Sequence, residues 1–392
     1  MIFRFLTSGE SHGYSLNAII EGAPAGLEFD IDFINNELKR RQSGYGRGDR
    51  MKIESDSVAV KSGVRLGKTL GSPICLEILN QDWENWQIPM SIEKVDLTDD
   101  NLNEINSKKI TKIRPGHADL AGCIKYNQSD IRNILERSSA RETAARVAVG
   151  AVAKMILSQF NIKFYSYVTQ IGSVKIDNVN PEDVLAEQIE CSDLRCVDSA
   201  FVELMKSEID NAKSKGETLG GSFEVVVKNL PVGLGSYVHW DKRLDGLLAQ
   251  AVMSVPAVKS VEFGLGADVA STLGSKTHDE IFYENGKYLR KTNNAGGIEG
   301  GMTNGEDLLI RASMKAIPTM KTPLNSVCID THEPYHAHFE RSDTCAVPAC
   351  AVVTESMAAI ILVDVFLEKF GHDNIEQIKS NFESYLKMLS ER

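Results

Sequence analysis

Apolar positions along this chain follow two periods and switch between them often. Residues 2–6, apolar apart from Arg4, read as a strand that runs into GESHG at 9–13. Residues 30–41 place Ile31, Ile34 and Leu38 on one helical face, with Asp30 as N-cap. Residues 57–66 and 73–79 read as strands. From 82 to 112 the pattern dissolves into polar, irregular sequence, expected to be a variable surface excursion. Residues 139–160 form the strongest helical stretch, and 197–215 another that Gly216 stops. Residues 222–228 and 308–314 read as strands, and 241–253 as a helix. The longest apolar run, 345–366, is interrupted by Thr354, Glu355 and Asp364, so it reads as a buried helix and not a membrane span. Residues 367–392 read as a peripheral amphipathic helical tail. Helices and strands alternate without the βαβ rhythm of a parallel sheet. The pattern predicts an α+β fold with a single large domain over residues 1–366.

Composition narrows the function. The 392 residues are 42% hydrophobic and 25% charged, which is globular composition. A net charge of −11 argues against generic nucleic-acid binding. Seven scattered cysteines without a CxxC pair argue against a disulfide framework or structural zinc, and fit a reducing cytoplasm. No basic region followed by an apolar run marks a secretory signal. Within the acidic total, eleven of seventeen arginines fall in the first 146 residues. Arginine's planar fork suits carboxylate and phosphate, so the store suggests a small anionic ligand, although any one arginine alone could be a solvated surface residue.

Several short stretches could carry chemistry. GESHG puts Glu10, Ser11 and His12 in a tight loop after a strand; it presents reactive groups or is simply a turn. RRQSGYGRGDRM at 40–51 interleaves Arg40, Arg41, Arg47 and Arg50 with glycines, as a pliable anion clamp or a basic loop. RPGHAD at 114–119 sets His117 just after a turn. In RSSARETA at 137–144, Ser139 and Glu142 have capping-box spacing, and Arg137, Ser138 and Arg141 surround a helix N-terminus able to hold an anion or merely to start a helix. NNAGGIEGGMTNGE at 293–306 could bring backbone close to a ring or phosphate, or be a flexible loop. HEPYHAH at 332–338 contains HExxH, but Pro334 would cost a helix about 3 kcal/mol, so no zinc site is expected there.

Taken in order, GESHG, RRQ-GYGRG-RM, RPGHAD, RSSARETA, AGGIEGG at 295–301 and RSDTCAVPACAVVTESM at 341–357 resemble the blocks of the chorismate synthase family. The resemblance covers residues 1 to about 366 and is weak only in 82–112. It implies a layered β-α-β sandwich, a homotetramer, and 1,4 elimination of phosphate from 5-enolpyruvylshikimate 3-phosphate to chorismate with reduced FMN and no net redox change. An FMN-dependent oxidoreductase acting on an anionic small molecule is the alternative. Carried over by motif, His12 is the proton donor to reduced flavin, His117 acts near the departing phosphate, and Asp343 helps handle the proton at flavin N5. Arg137, Ser138, Ser139, Pro256, Ala257, Gly300, Lys315, Ala316, Ile317, Pro318, Thr319 and Arg341 are implied around FMN. Arg41, Arg47, Arg50, Arg114 and Arg141 are implied to hold substrate anions, with Arg41 and Arg47 also matching positions for NADPH, a possible reductant. Asp49 departs from the expected charge of the arginine loop.

Overall fold

The computed structural model describes all residues except 1, 49–54, 178, 180, 182, 183, 285, 341 and 392. Two antiparallel sheets enclose a layer of helices. The first sheet holds β1 (Arg4–Ser8), β2 (Ser15–Glu21), β3 (Val58–Ser62) and β4 (Ile74–Leu79), in the order β1-β2-β4-β3. The second holds β5 (Lys163–Ile171), β6 (Val174–Lys175), β7 (Gly221–Lys228), β8 (Val258–Phe263) and β9 (Leu308–Met314), in the order β8-β9-β7-β5-β6. Every neighbouring pair is antiparallel, as the absence of a βαβ rhythm predicts. In the first sheet Leu16, Ala18, Ile20, Ile74, Leu76 and Ile78 turn inward, while Leu6 and Ile19 face out. That is the two-residue period of a sheet covered on one face.

Between the sheets lie α1 (Ile31–Gln42), α2 (Thr143–Ser158), α3 (Leu244–Met253) and α4 (Val347–Phe370). α2 packs on β2 and β4, whereas α4 packs on β5 and β7, and the two helices pack on each other. α4 is buried on every side except at Glu368 and Lys369. A helix wedged between layers needs apolar residues all round rather than one stripe. It is long and apolar enough to cross a membrane, and it is the core of the sandwich. The terminal helix α5 (Ile375–Ser390) inserts Ile375 and Ile378 into that core and leaves the rest of its length half-buried or exposed.

The structure corrects several local expectations. The 82–112 excursion contains a helix, Asp99–Lys108. It has no buried residue, so no apolar stripe announces it. Thr98 caps it and Asp99 and Asp100 occupy its first turn, which suits the helix dipole. The 57–66 strand breaks at Gly63, whose φ is +83°. Ser139 and Glu142 do not form a capping box. The preceding helix, Arg132–Ser138, claims the Ser139 N–H through Leu135 O, and the Ser139 hydroxyl accepts from Arg141 N at 3.3 Å within a 3-10 turn. Glu142 instead pairs with Arg146 at 2.7 Å. HEPYHAH lies in a hairpin, with Pro334–His336 paired to Asn325–Val327, so its histidines do not share a helical face.

Candidate active site

The loop after β1 is pinned from two directions. Asn80, at the end of β4, donates to Glu10 O at 3.0 Å and Gly13 O at 2.7 Å. From the Arg132–Ser138 helix, Glu136 O accepts from Ser11 N at 2.9 Å and Glu136 Oε2 from His12 N at 2.7 Å. Glu136 Oε1 lies 2.8 Å from His12 Nδ1. Burial pushes the Glu136 carboxyl upward, but the His12 hydrogen bonds and the His12 and Arg132 charges outweigh it and hold the carboxyl below its ordinary value.

His117 is held in a matching way. Its Nδ1 lies 2.5 Å from Asp119 Oδ1. Asp119 is fully buried and accepts two 2.8 Å bonds from the Arg114 guanidinium and one of 3.1 Å from the Arg114 backbone. Burial alone would raise the Asp119 carboxyl; the bonds from His117 and Arg114 drive it far below the usual carboxylate range. An ionised carboxylate on Nδ1 fixes the ring's tautomer and leaves Nε2 as the nitrogen for proton exchange.

Both histidines line one cavity of about 460 Å³. That lies in the range of about 300–1,000 Å³ typical of cofactor and ligand sites. Its walls carry Arg41, Arg47, Arg114, Arg141, Lys259 and Lys315 against two carboxylates, Glu340 and Asp343. Arg41 is braced by Thr143 Oγ1 at 2.9 Å and Ala140 O at 3.0 Å, and Arg141 by Asn80 at 3.0 Å and Asp56 at 2.7 Å. Asp343 accepts from Gly48 N at 2.6 Å and lies 3.2 Å from Arg47 Nε. Lys315 reaches across to Gly116 O, and burial with the neighbouring charge of Lys259 lowers its ammonium pKa. Leu135, Val255, Pro256, Ala257, Ala346, Ala349 and Val353 supply the apolar wall. Ala257 sits at φ +72°, a left-handed position that costs an alanine about 1 kcal/mol.

The cavity thus gathers His12, His117, Asp343, Ser138, Ser139, Pro256, Ala257, Lys315, Ile317, Pro318, Thr319, Arg41, Arg47, Arg114 and Arg141 from seven stretches of chain. Three expected residues do not line it. The Arg137 guanidinium turns back to Thr7 O at 3.0 Å and Gly9 O at 3.2 Å. Ala316 is exposed, past the end of β9, between Lys315 and Ile317. Gly300 caps the short hairpin of Ile298–Glu299 and Met302–Thr303. The neighbouring glycines serve the fold: a Cβ on Gly296 would fall 2.2 Å from Gly264 N. Arg50 and Arg341, with Asp49, lie outside the described residues. Arg40 faces away from the cavity toward Glu37 and Glu355.

One neighbour of a cavity residue lies in no sequence motif. Trp86, from the polar excursion, stacks on His12 with ring centroids 4.0 Å apart and an interplanar angle of 26°.

A statistical model of the family described as chorismate synthase matches residues 3–367. The chorismate synthase of Geotalea daltonii is 53% identical, over 99% of each chain. That of Aquifex aeolicus is also 53% identical, over 98% of this chain and 97% of the relative. The chain belongs to the chorismate synthase family. A crystal structure of a chorismate synthase superposes with a TM-score of 0.80 at 44% identity, covering 100% of this chain and 99% of that one. The layered α+β sandwich is therefore the family fold. The activity is that of a carbon–oxygen lyase, which eliminates phosphate from 5-enolpyruvylshikimate 3-phosphate to give chorismate, the last step of the shikimate pathway. The substrate carries a phosphate and two carboxylates, and the cavity gathers arginines and lysines.

Proposed function

We propose that this cavity is where the elimination takes place, with reduced FMN and the substrate bound together and with His12 and His117 as its two proton-handling groups. The observation that carries the reading is that both histidines line one cation-rich cavity, each with a carboxylate on Nδ1. Apolar surface beside arginines and lysines suits a flat ring system with a phosphate tail, and the Pro256–Ala257 backbone and residues 315–319 would hold it. The chemistry that reduced FMN supplies when bound is electron density lent to the substrate and returned by the end of turnover.

The protein's own work is binding, orientation and proton placement. Arg41, Arg47, Arg114 and Arg141 hold the substrate's anionic groups and stabilise charge on the leaving phosphate. His117 gives a proton from Nε2 to the departing phosphate while Asp119 keeps Nδ1 protonated. With FMN bound, His12 would donate a proton toward it, and Asp343 would help to hold and move protons beside it. Homotetrameric assembly is part of the same reading, supported by Leu6, Ile19 and Leu79 exposed on the first sheet. NADPH as reductant and a cytoplasmic location rest on the family resemblance.

The test is His12→Ala and His117→Ala. Each is expected to lower turnover by about 100-fold or more, as positioned proton transfer contributes, while FMN and substrate still bind. Turnover near wild type in both variants would refute the assignment.

A further inference from the structure

His12 is enclosed by more than its motif. Glu136 engages its ring at Nδ1 and its backbone N–H with two different oxygens, at 2.8 and 2.7 Å. It also takes the neighbouring Ser11 N–H on its main-chain carbonyl. Three contacts on two consecutive residues fix both where the His12 backbone runs and how its ring turns. The Glu136 side chain is 2% exposed, so this carboxylate was taken out of water to make those contacts. Arg132 Nη1, 3.2 Å away, shares Oε1 with His12 and keeps the carboxylate ionised.

The face of the ring is fixed too. Trp86 is 7% exposed although its surroundings in sequence are polar. Its indole N–H donates to Asp82 at 3.0 Å, which sets the plane of the ring that stacks on His12. Lys108 Nζ and the Arg132 guanidinium lie 4.4 and 5.0 Å from its ring centre. Arg132 also donates to Lys108 O at 2.9 Å and pairs with Glu340, on the cavity wall, at 2.9 Å. The 82–112 segment is therefore tied to the helix that carries Glu136, and the two together enclose the imidazole.

We propose that Glu136 and Trp86 are positioning residues for His12, the carboxylate fixing the ring's tautomer and rotation and the indole fixing its plane, so that Nε2 is presented to the cavity in one orientation. The proposal rests on His12 being the proton donor of the reaction. Its counterpart is visible at His117, where Asp119 holds Nδ1 in the same manner. A carboxylate in this place governs which nitrogen carries the proton. An amide of the same shape would present an N–H to Nδ1 and favour the reverse tautomer.

The experiment measures kcat, KM and FMN affinity in oxygen-free solution with reduced FMN. The variants are Glu136→Gln, Trp86→Phe and Trp86→Ala, each made in the wild-type chain and in His12→Ala. In the wild-type chain, Glu136→Gln is expected to lower kcat about 100-fold with KM and FMN affinity within about threefold. Trp86→Ala is expected to lower kcat about tenfold, and Trp86→Phe, which keeps an aromatic face, to recover most of it. In the His12→Ala chain the same changes are expected to cost nothing further, because they act only through the imidazole. Equal fold losses with and without His12 would show a merely structural role and overturn the proposal. So would wild-type kcat in both Glu136→Gln and Trp86→Ala while His12→Ala is impaired. If His12→Ala itself turns over normally, the proposal falls together with the role assigned to His12. If Glu136→Gln does not fold, the two Trp86 variants decide by the same comparison.

Discussion

Asn80 shows how much of the site depends on single buried polar groups. It is 4% exposed, its amide nitrogen donates twice to the GESHG loop, and its oxygen accepts from Arg141 Nε at 3.0 Å. A buried hydrogen bond contributes about 1 kcal/mol net, and leaving a partner unmade costs more. Asn80→Ala is therefore expected to destabilise the protein by about 2–4 kcal/mol in chemical denaturation, and to lower kcat because the loop that carries His12 loses its anchor. Unchanged stability would show that the loop is held without it. At this scale the sequence makes His12, His117 and most of the cavity's arginines legible, because they sit in short motifs. Glu136 and Trp86 are not legible in that way. Glu136 lies 124 positions from His12 and stands just outside the RSSARETA block. Trp86 is one of two tryptophans in the polar DWENW stretch, and that pair of large aromatics was the available signal. Arg40 and Arg41 are adjacent in sequence yet part company, since successive helical positions point about 100° apart.

Among the elements, the contact between α2 and α4 matters most, because each helix carries one face of the sandwich. Gly150 makes that contact possible. A Cβ there would lie 2.3 Å from Ser356 Cβ and 2.6 Å from its Cα, on the facing helix. In an exposed helix Gly→Ala stabilises by about 1 kcal/mol. Here the sign reverses, because backbone must move to admit the methyl group, and overpacking of this kind costs about 1–3 kcal/mol. Gly150→Ala is expected to lower the denaturation midpoint; a raised midpoint would mean that the helices can separate freely. The run of Ala144, Ala145, Ala148, Ala151 and Ala153, all buried, belongs to the same close packing. Both helices were legible from their apolar content. The Asp99–Lys108 helix was not, because nothing on it is buried. The capping-box spacing at Ser139 misled because a second helix ends at the same serine and uses its N–H first.

Across the whole molecule, two sheets sandwich the helices, and the site opens where loops from both sheets meet the start of α4. Behind it, inside the helical layer, a separate ionic cluster ties the layers together. Glu355 on α4 is fully buried and accepts from Arg40 of α1 at 2.9 and 3.0 Å, Lys154 of α2 at 2.6 Å and Ser166 of β5 at 2.5 Å. Burial pushes its carboxyl upward, and the charges of Arg40, Lys154 and Arg195 outweigh that and hold it well below the usual range. Cations of this chain thus serve both a buried structural cluster and the walls of the cavity. The cavity is read as a lyase site that places protons and anions around a reduced flavin which it does not consume. The most direct measurement is a stoichiometry. With oxygen excluded and one pre-reduced FMN per chain, chorismate and phosphate released are counted against reducing equivalents spent. The expected result is many product molecules per flavin, a flavin still reduced at the end, and no product with oxidised FMN alone. One reducing equivalent consumed for each product would contradict it.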